Sequence, residues 1–73
     1  MNRGQEMFLN FIMQHVKEDS QQTARQLLEE AFAKQQDGSF SKMYLMTFIP
    51  RMLACIKPES VEQVKQVMTN FKP

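Results

Sequence analysis

The sequence has one cysteine, Cys55, one histidine, His15, and no tryptophan. A lone cysteine cannot close an intramolecular disulfide, and secreted domains of this size ordinarily depend on such staples. One His and one Cys cannot furnish the four ligands of a zinc site within a chain. A reducing, cytoplasmic setting is therefore expected. Glycine is scarce too, with only Gly4 and Gly38. Two isolated glycines make no phosphate-cradling loop, and an all-β chain would need more turn residues. Charge of one sign is also lacking. Nine Lys and Arg face eight Asp and Glu, a formal net charge of +1. Nucleic-acid binding draws most of its affinity from a basic excess, so no nucleic-acid partner is expected. No apolar run approaches the roughly 18 residues of a membrane span, so no membrane partner is expected either. The apolar stretch Met7–Met13 is broken by Asn10 and has no small-residue cleavage site, unlike a signal peptide. No internal repeat and no low-complexity linker is visible along the chain.

What is there is enough for one small domain, residues 1–73. Surface scaling for this mass gives roughly 4,700 Å² folded against roughly 12,500 Å² extended. A monomer would bury about 60% of its chain surface, near the lower limit for folding alone. A partner chain is a natural way to complete such a core. Nine glutamines and seven methionines favour helix.

Four apolar-periodic segments separate at short breaks. The first covers Gln5–Lys17 and ends at Glu18-Asp19-Ser20. The second covers Gln21–Gln36, with Asp19 or Ser20 as cap and Gln22 at capping-box spacing from Asp19. Asp37-Gly38-Ser39 breaks the chain, Gly38 suiting the left-handed position after a helix end. Ser39 or Ser41 opens the third segment, Phe40–Ile56. Pro58 begins the fourth at its first helical position, and Glu59 suits the positive helix end. That segment ends near Phe71.

The wheel divides these helices into two kinds. Val61, Val64, Val67, Met68 and Phe71 form one narrow stripe, as do Ala24, Leu27, Leu28, Ala31 and Phe32. The first and third helices are apolar through far wider arcs. Met7, Phe8, Leu9, Phe11, Ile12, Met13 and Val16 spread over about 240°. The third is apolar all round and so asks to be surrounded, and three short helices can surround one side of it well but not every side. Pro50 inside it removes a hydrogen bond to the Met46 carbonyl and pushes Ile49 from helical dihedrals, so a kink or a split is expected there.

Charge is unevenly distributed. Residues 18–37 hold Glu18, Asp19, Glu29, Glu30 and Asp37 against Arg25 and Lys34. Residues 38–57 hold Lys42, Arg51 and Lys57 and no acid. Mutual attraction of these two segments is the simplest consequence.

Chemical constellations are poor. His15 and Cys55 could form a nucleophile–base pair only in contact, and Cys55 lies in an apolar run where nothing favours a thiolate. The segment Asp37-Gly38-Ser39-Phe40-Ser41 matches the middle of a calcium loop. In that register Ala33, Gln35 and Tyr44 fall where carboxylates are needed. A DNA-reading helix at the third segment would present Met43, Tyr44, Leu45 and Met46 to base edges, which require polar groups. The methionines are more telling, since methionine adapts to varied partners and is overused on binding surfaces.

These features predict an all-α fold, a compact bundle of four short helices. Its expected function is protein–protein interaction as a small cytoplasmic regulator or adaptor. It would be non-enzymatic and without cofactor or metal, and would pair with itself as a homodimer or with another protein. The expected contact residues are Phe8, Phe11, Met43, Tyr44, Met46, Phe48 and Met52, since buried aromatic anchors ringed by apolar contacts make hot spots. The rivals are an amphipathic membrane-surface module with Lys42, Arg51 and Lys57 toward lipid, a weak nucleic-acid-binding regulator, and a subunit of an enzyme whose catalytic residues lie mostly on another chain.

Overall fold

The computed structural model describes residues 1–69. It is an all-helical bundle of α1 (Arg3–Gln14), α2 (Gln21–Asp37), α3 (Lys42–Leu53) and α4 (Val61–Thr69). A 3-10 turn precedes α2 at Glu18–Ser20 and another precedes α4 at Pro58–Ser60. The accessible surface is 4894 Å², close to that expected from mass alone.

Local chemistry sets the ends. Asn2 caps α1 in a full capping box with Gln5, each side chain taking the other's backbone N–H. Gly38 ends α2 at φ 81°, where an L side chain would be strained. Beside it the Asp37 carboxylate accepts the Ser39 N–H and hydroxyl, which lowers its pKa from the ordinary value. Ser41 caps α3 by accepting the Tyr44 N–H at 3.0 Å. Pro58 opens its 3-10 turn rather than α4 itself. The capping box expected of Asp19 and Gln22 does not form. The 3-10 turn occupies that junction, and the Ser20 hydroxyl donates to Asp19 instead. The α3 helix is not split near Ile49; it runs on through Pro50 to Leu53.

The chain does contain an internal repeat, contrary to the expectation from sequence. Val16 and Ile56 form a one-residue antiparallel bridge. Lys17 N–H donates to the Cys55 carbonyl at 2.8 Å, and Lys57 N–H donates to the His15 carbonyl at 2.9 Å. A two-fold axis through the Val16–Ile56 pair interchanges these two bonds. The backbone bonds and helical elements on either side match at an offset of forty residues. The Ser20 N–H donates to Lys17 at 3.0 Å, as the Ser60 N–H donates to Lys57 at 2.9 Å. The 3-10 turns match, and α2 and α4 begin at Gln21 and Val61. The molecule is two helical hairpins, α1–α2 and α3–α4, back to back across their connecting loops.

The core repeats as well. Ile12 and Met52, Val16 and Ile56, Ala24 and Val64, and Leu28 and Met68 are matched pairs, all buried. Phe48 is the largest fully buried side chain, and its counterpart Phe8 is half-buried. The α4 stripe expected in the core is there at Val64 and Met68, with Val61 packed against it; Phe71 lies outside the described residues. Attraction between the oppositely charged segments is also realised. Arg51 on α3 pairs with Glu30 on α2 at 3.6 Å, both about half exposed, a geometry that contributes little to stability.

Candidate protein-binding face

The third helix is not surrounded on every side. Phe48 and Met52 point into the core with no exposed surface. Tyr44 and Arg51 flank them toward α2. The Tyr44 ring lies 5.4 Å from Phe40 and 6.1 Å from Phe48, with the Lys34 ammonium 5.0 Å from its centroid. The remaining face is apolar and open. Leu45, Ile49 and Leu53 are half-buried at its inner edge, and Met46, Pro50 and Met43 form its outer edge. Met43 is 77% exposed and Met46 67% exposed. On the wheel these six residues span about 160°, with Lys42 the one charged group among them.

Sequence expectations thus divide. Met43 and Met46 share an exposed face. Tyr44 is half-buried on the neighbouring side, against α2. Phe8 and Phe11 belong to α1, half-buried against the core, with the Phe11 ring tilted against His15 at a centroid distance of 4.9 Å. Phe48 and Met52 are interior, so in the folded chain they hold α3 in place and present nothing to a partner. The residues that sequence missed are Leu45, Ile49, Leu53 and Pro50. An all-round apolar helix gives no sign of which arc faces inward; that is set by contact with α2 and α4.

Other chemistry-bearing groups are engaged elsewhere. His15 and Cys55 are counterparts under the two-fold, one on each loop. The His15 Nδ1 is 2.9 Å from the Ser60 hydroxyl oxygen, a contact between the two hairpins that sequence reasoning did not anticipate. The Cys55 thiol donates to the Arg51 carbonyl at 3.7 Å, and burial pushes its pKa up. The Tyr44 hydroxyl is buried without a hydrogen-bond partner. Desolvation first, then the nearby Glu30 charge, pushes its pKa up to about 12. Among the described residues no group of three or more His, Cys, Asp or Glu could hold a metal ion. No helix of the described residues is long and apolar enough to cross a membrane.

The chain matches no family model, no curated protein and no solved structure. The case for a site therefore rests on its geometry.

Proposed function

We propose that this chain is a small protein-interaction module, a regulator or adaptor that acts by binding and not by catalysis, and that it works in the cytoplasm. The observation that carries the proposal is the open face of α3. Met43 and Met46 expose most of their surface beside a half-buried row of Leu45, Ile49 and Leu53. Isolated exposed apolar residues are ordinary, but a contiguous apolar strip on one helix marks a contact surface. Methionine suits that role because its flexible thioether moulds to the partner. A bend at Pro50 belongs to the same proposal. Loss of the hydrogen bond to the Met46 carbonyl would tilt Lys42–Ile49 against Arg51–Leu53 and widen the strip. Residual dipolar couplings of the α3 amides measure that tilt.

The test is a photo-crosslinking amino acid placed at Met46, compared with one at Met7, which is 64% exposed on α1. A discrete polypeptide adduct at position 46 and none at position 7 is expected. Equal labelling at both, or none at either, refutes the assignment of the face. Homodimerisation through the same strip is the second reading, favoured by the exposed methionine pair. It ranks behind because two copies would bring two basic segments together with no acid from residues 38–57. Sedimentation equilibrium at micromolar concentration decides it. A mass that stays at 8.6 kDa excludes the homodimer.

A further inference from the structure

The methionines of this chain divide by exposure. Met52 and Met68 are fully buried and Met13 is half-buried. Met43 and Met46 expose most of their surface, and Met1 and Met7 are exposed as well. Along α3 the division has a pattern. The half-buried edge of the open face is built from Leu45, Ile49 and Leu53, whose hydrocarbon side chains are inert to mild oxidants. Both large apolar residues at its exposed edge are methionine. Leucine would supply the same apolar surface at those two places. Only the thioether adds an atom that peroxide oxidises.

The thiol that would ordinarily react first is shielded. A cysteine that senses oxidants needs solvent access and thiolate character. Cys55 is buried, its thiol donates to the Arg51 carbonyl, and desolvation pushes its pKa up. Exposed sulfur among the described residues is therefore all thioether. The fold also accepts polar groups where the two α3 methionines stand. At the offset of forty residues Met43 and Met46 match Arg3 and Glu6 of α1, and both of these are exposed. Charged side chains occupy those places in the first hairpin, so a polar sulfoxide there disturbs no packing of the bundle.

We propose that Met43 and Met46 form a reversible oxidation site that switches the open face of α3 from apolar to polar while the bundle stays folded. The oxidant is a peroxide. A sulfur lone pair attacks one peroxide oxygen, and the S–O bond forms as the O–O bond breaks. The proton on the transferred oxygen passes to the departing hydroxide, which leaves as water. Sulfur loses two electrons and peroxide gains them. The return step needs a dithiol enzyme of the sulfoxide-reducing class. Two thiols give up two electrons and two protons and close to a disulfide, and the sulfoxide oxygen leaves as water. Each sulfoxide sets a polar S–O group where an apolar tip stood. As control of binding, the switch rests on the contact surface proposed above. As chemistry of the face, it needs no partner.

The experiment treats the full chain with hydrogen peroxide at neutral pH. Peptide mass mapping follows each methionine, and retention on a phenyl column reports the apolar face. Met43 and Met46 should convert about as fast as Met7. Met52 and Met68 should react at least about tenfold more slowly until urea unfolds the chain, because a buried group reacts only when the structure opens. The oxidised chain should elute earlier than the untreated one and keep its far-UV spectrum and unfolding midpoint. Reductases for both sulfoxide epimers, with a dithiol, should restore mass and retention. The double variant Met43→Leu, Met46→Leu keeps the face apolar and should lose most of the peroxide-induced shift, whereas Met7→Leu should shift as the parent does. The double variant Met43→Gln, Met46→Gln should elute near the oxidised parent without treatment, which tests the face if the leucine variant fails to fold. Met43 and Met46 reacting as slowly as Met52 overturns the proposal. So does a lowered midpoint when only the exposed methionines are oxidised, a full shift in the leucine variant, or sulfoxides that the reductases leave in place. A polypeptide crosslinked at position 46 beside unreactive methionines would sink the switch and spare the contact surface. Repairable oxidation with no adduct at position 46 would uphold the switch and remove the contact reading.

Discussion

Replacing Val64 by alanine tests the placement of α4 and the two-fold relation together. Val64 is fully buried, and so is its counterpart Ala24. Alanine is thus already accommodated on this backbone frame, and the loss measures missing side-chain volume. Removing two methyl groups forfeits about 1.6 kcal/mol of transfer free energy. A residual cavity of some 30–50 Å³ would add about 1 kcal/mol if the surroundings failed to close on it. Alanine's better helix propensity returns about 0.5 kcal/mol. The net expectation is a loss of about 1–2.5 kcal/mol, against a total stability of roughly 4–11 kcal/mol for a domain this small. In urea, with a slope near 1 kcal/mol/M, the midpoint should fall by about 1–2.5 M without a change in slope. The melting temperature should fall by roughly 5–20 °C. Circular dichroism at 222 nm follows both, with exposed Gln63→Ala as the control. An unchanged midpoint for V64A would show that α4 does not use this stripe to pack.

Four other outcomes follow from other contacts. Ser60→Ala removes the partner of His15 and should cost about 1–2 kcal/mol in denaturant unfolding. Ser20→Ala at the matched position, where the hydroxyl meets only Asp19, should stay within about 0.5 kcal/mol. Equal losses would remove any special role from the contact between the hairpins. Cys55, 5% exposed and with its pKa raised chiefly by desolvation, should react with a thiol reagent at neutral pH far more slowly than the unfolded chain does; equal rates would contradict its burial. The native pKa of Tyr44 is pushed up to about 12 from an ordinary 10, so the unfolded chain ionises first. Its contribution is complete below pH 10 and is lost as pH rises through about 12; absorbance at 295 nm follows the titration in the parent chain, with the tyrosine-free Tyr44→Phe as the blank. The same variant should be as stable as the parent or more so at pH 7, since the hydroxyl it removes is buried without a partner. A marked loss would instead reveal a bond to Glu30.

The helices were legible because period, breaks and terminal residues agree. Gly38, Ser41 and Pro58 each mark an element boundary where their backbone chemistry requires. The Asn2–Gln5 capping box has a legible spacing too, but an apolar-period search starts inside the helix and passes over its polar first turn. The repeat was hidden for a different reason. Few matched residues are identical, Phe8 with Phe48, Lys17 with Lys57 and Ser20 with Ser60 among them. Ile12 with Met52 and Leu28 with Met68 agree only in being apolar and large. A comparison of hydropathy class at fixed offsets would have found them. The His15–Ser60 contact could not be read, since the two lie 45 residues apart and meet only once the loops pair.

The wide apolar arc of α3 asks to be enclosed, and three short helices cannot enclose it on every side. A helix of 12 residues is about 18 Å long. The helices beside it can cover the arc that holds Phe48 and Met52, and the strip from Leu45 out to Met43 stays at the edge. In the first hairpin the same edge carries Arg3, Glu6 and Asn10, all exposed; in the second it carries Met43, Met46 and Pro50, exposed as well. Exposed polar groups at those places show that the frame itself does not call for apolar ones, which favours the proposed contact surface over surplus core. The second hairpin thus holds Met43 and Met46 exposed on a helix anchored by buried Phe48 and Met52.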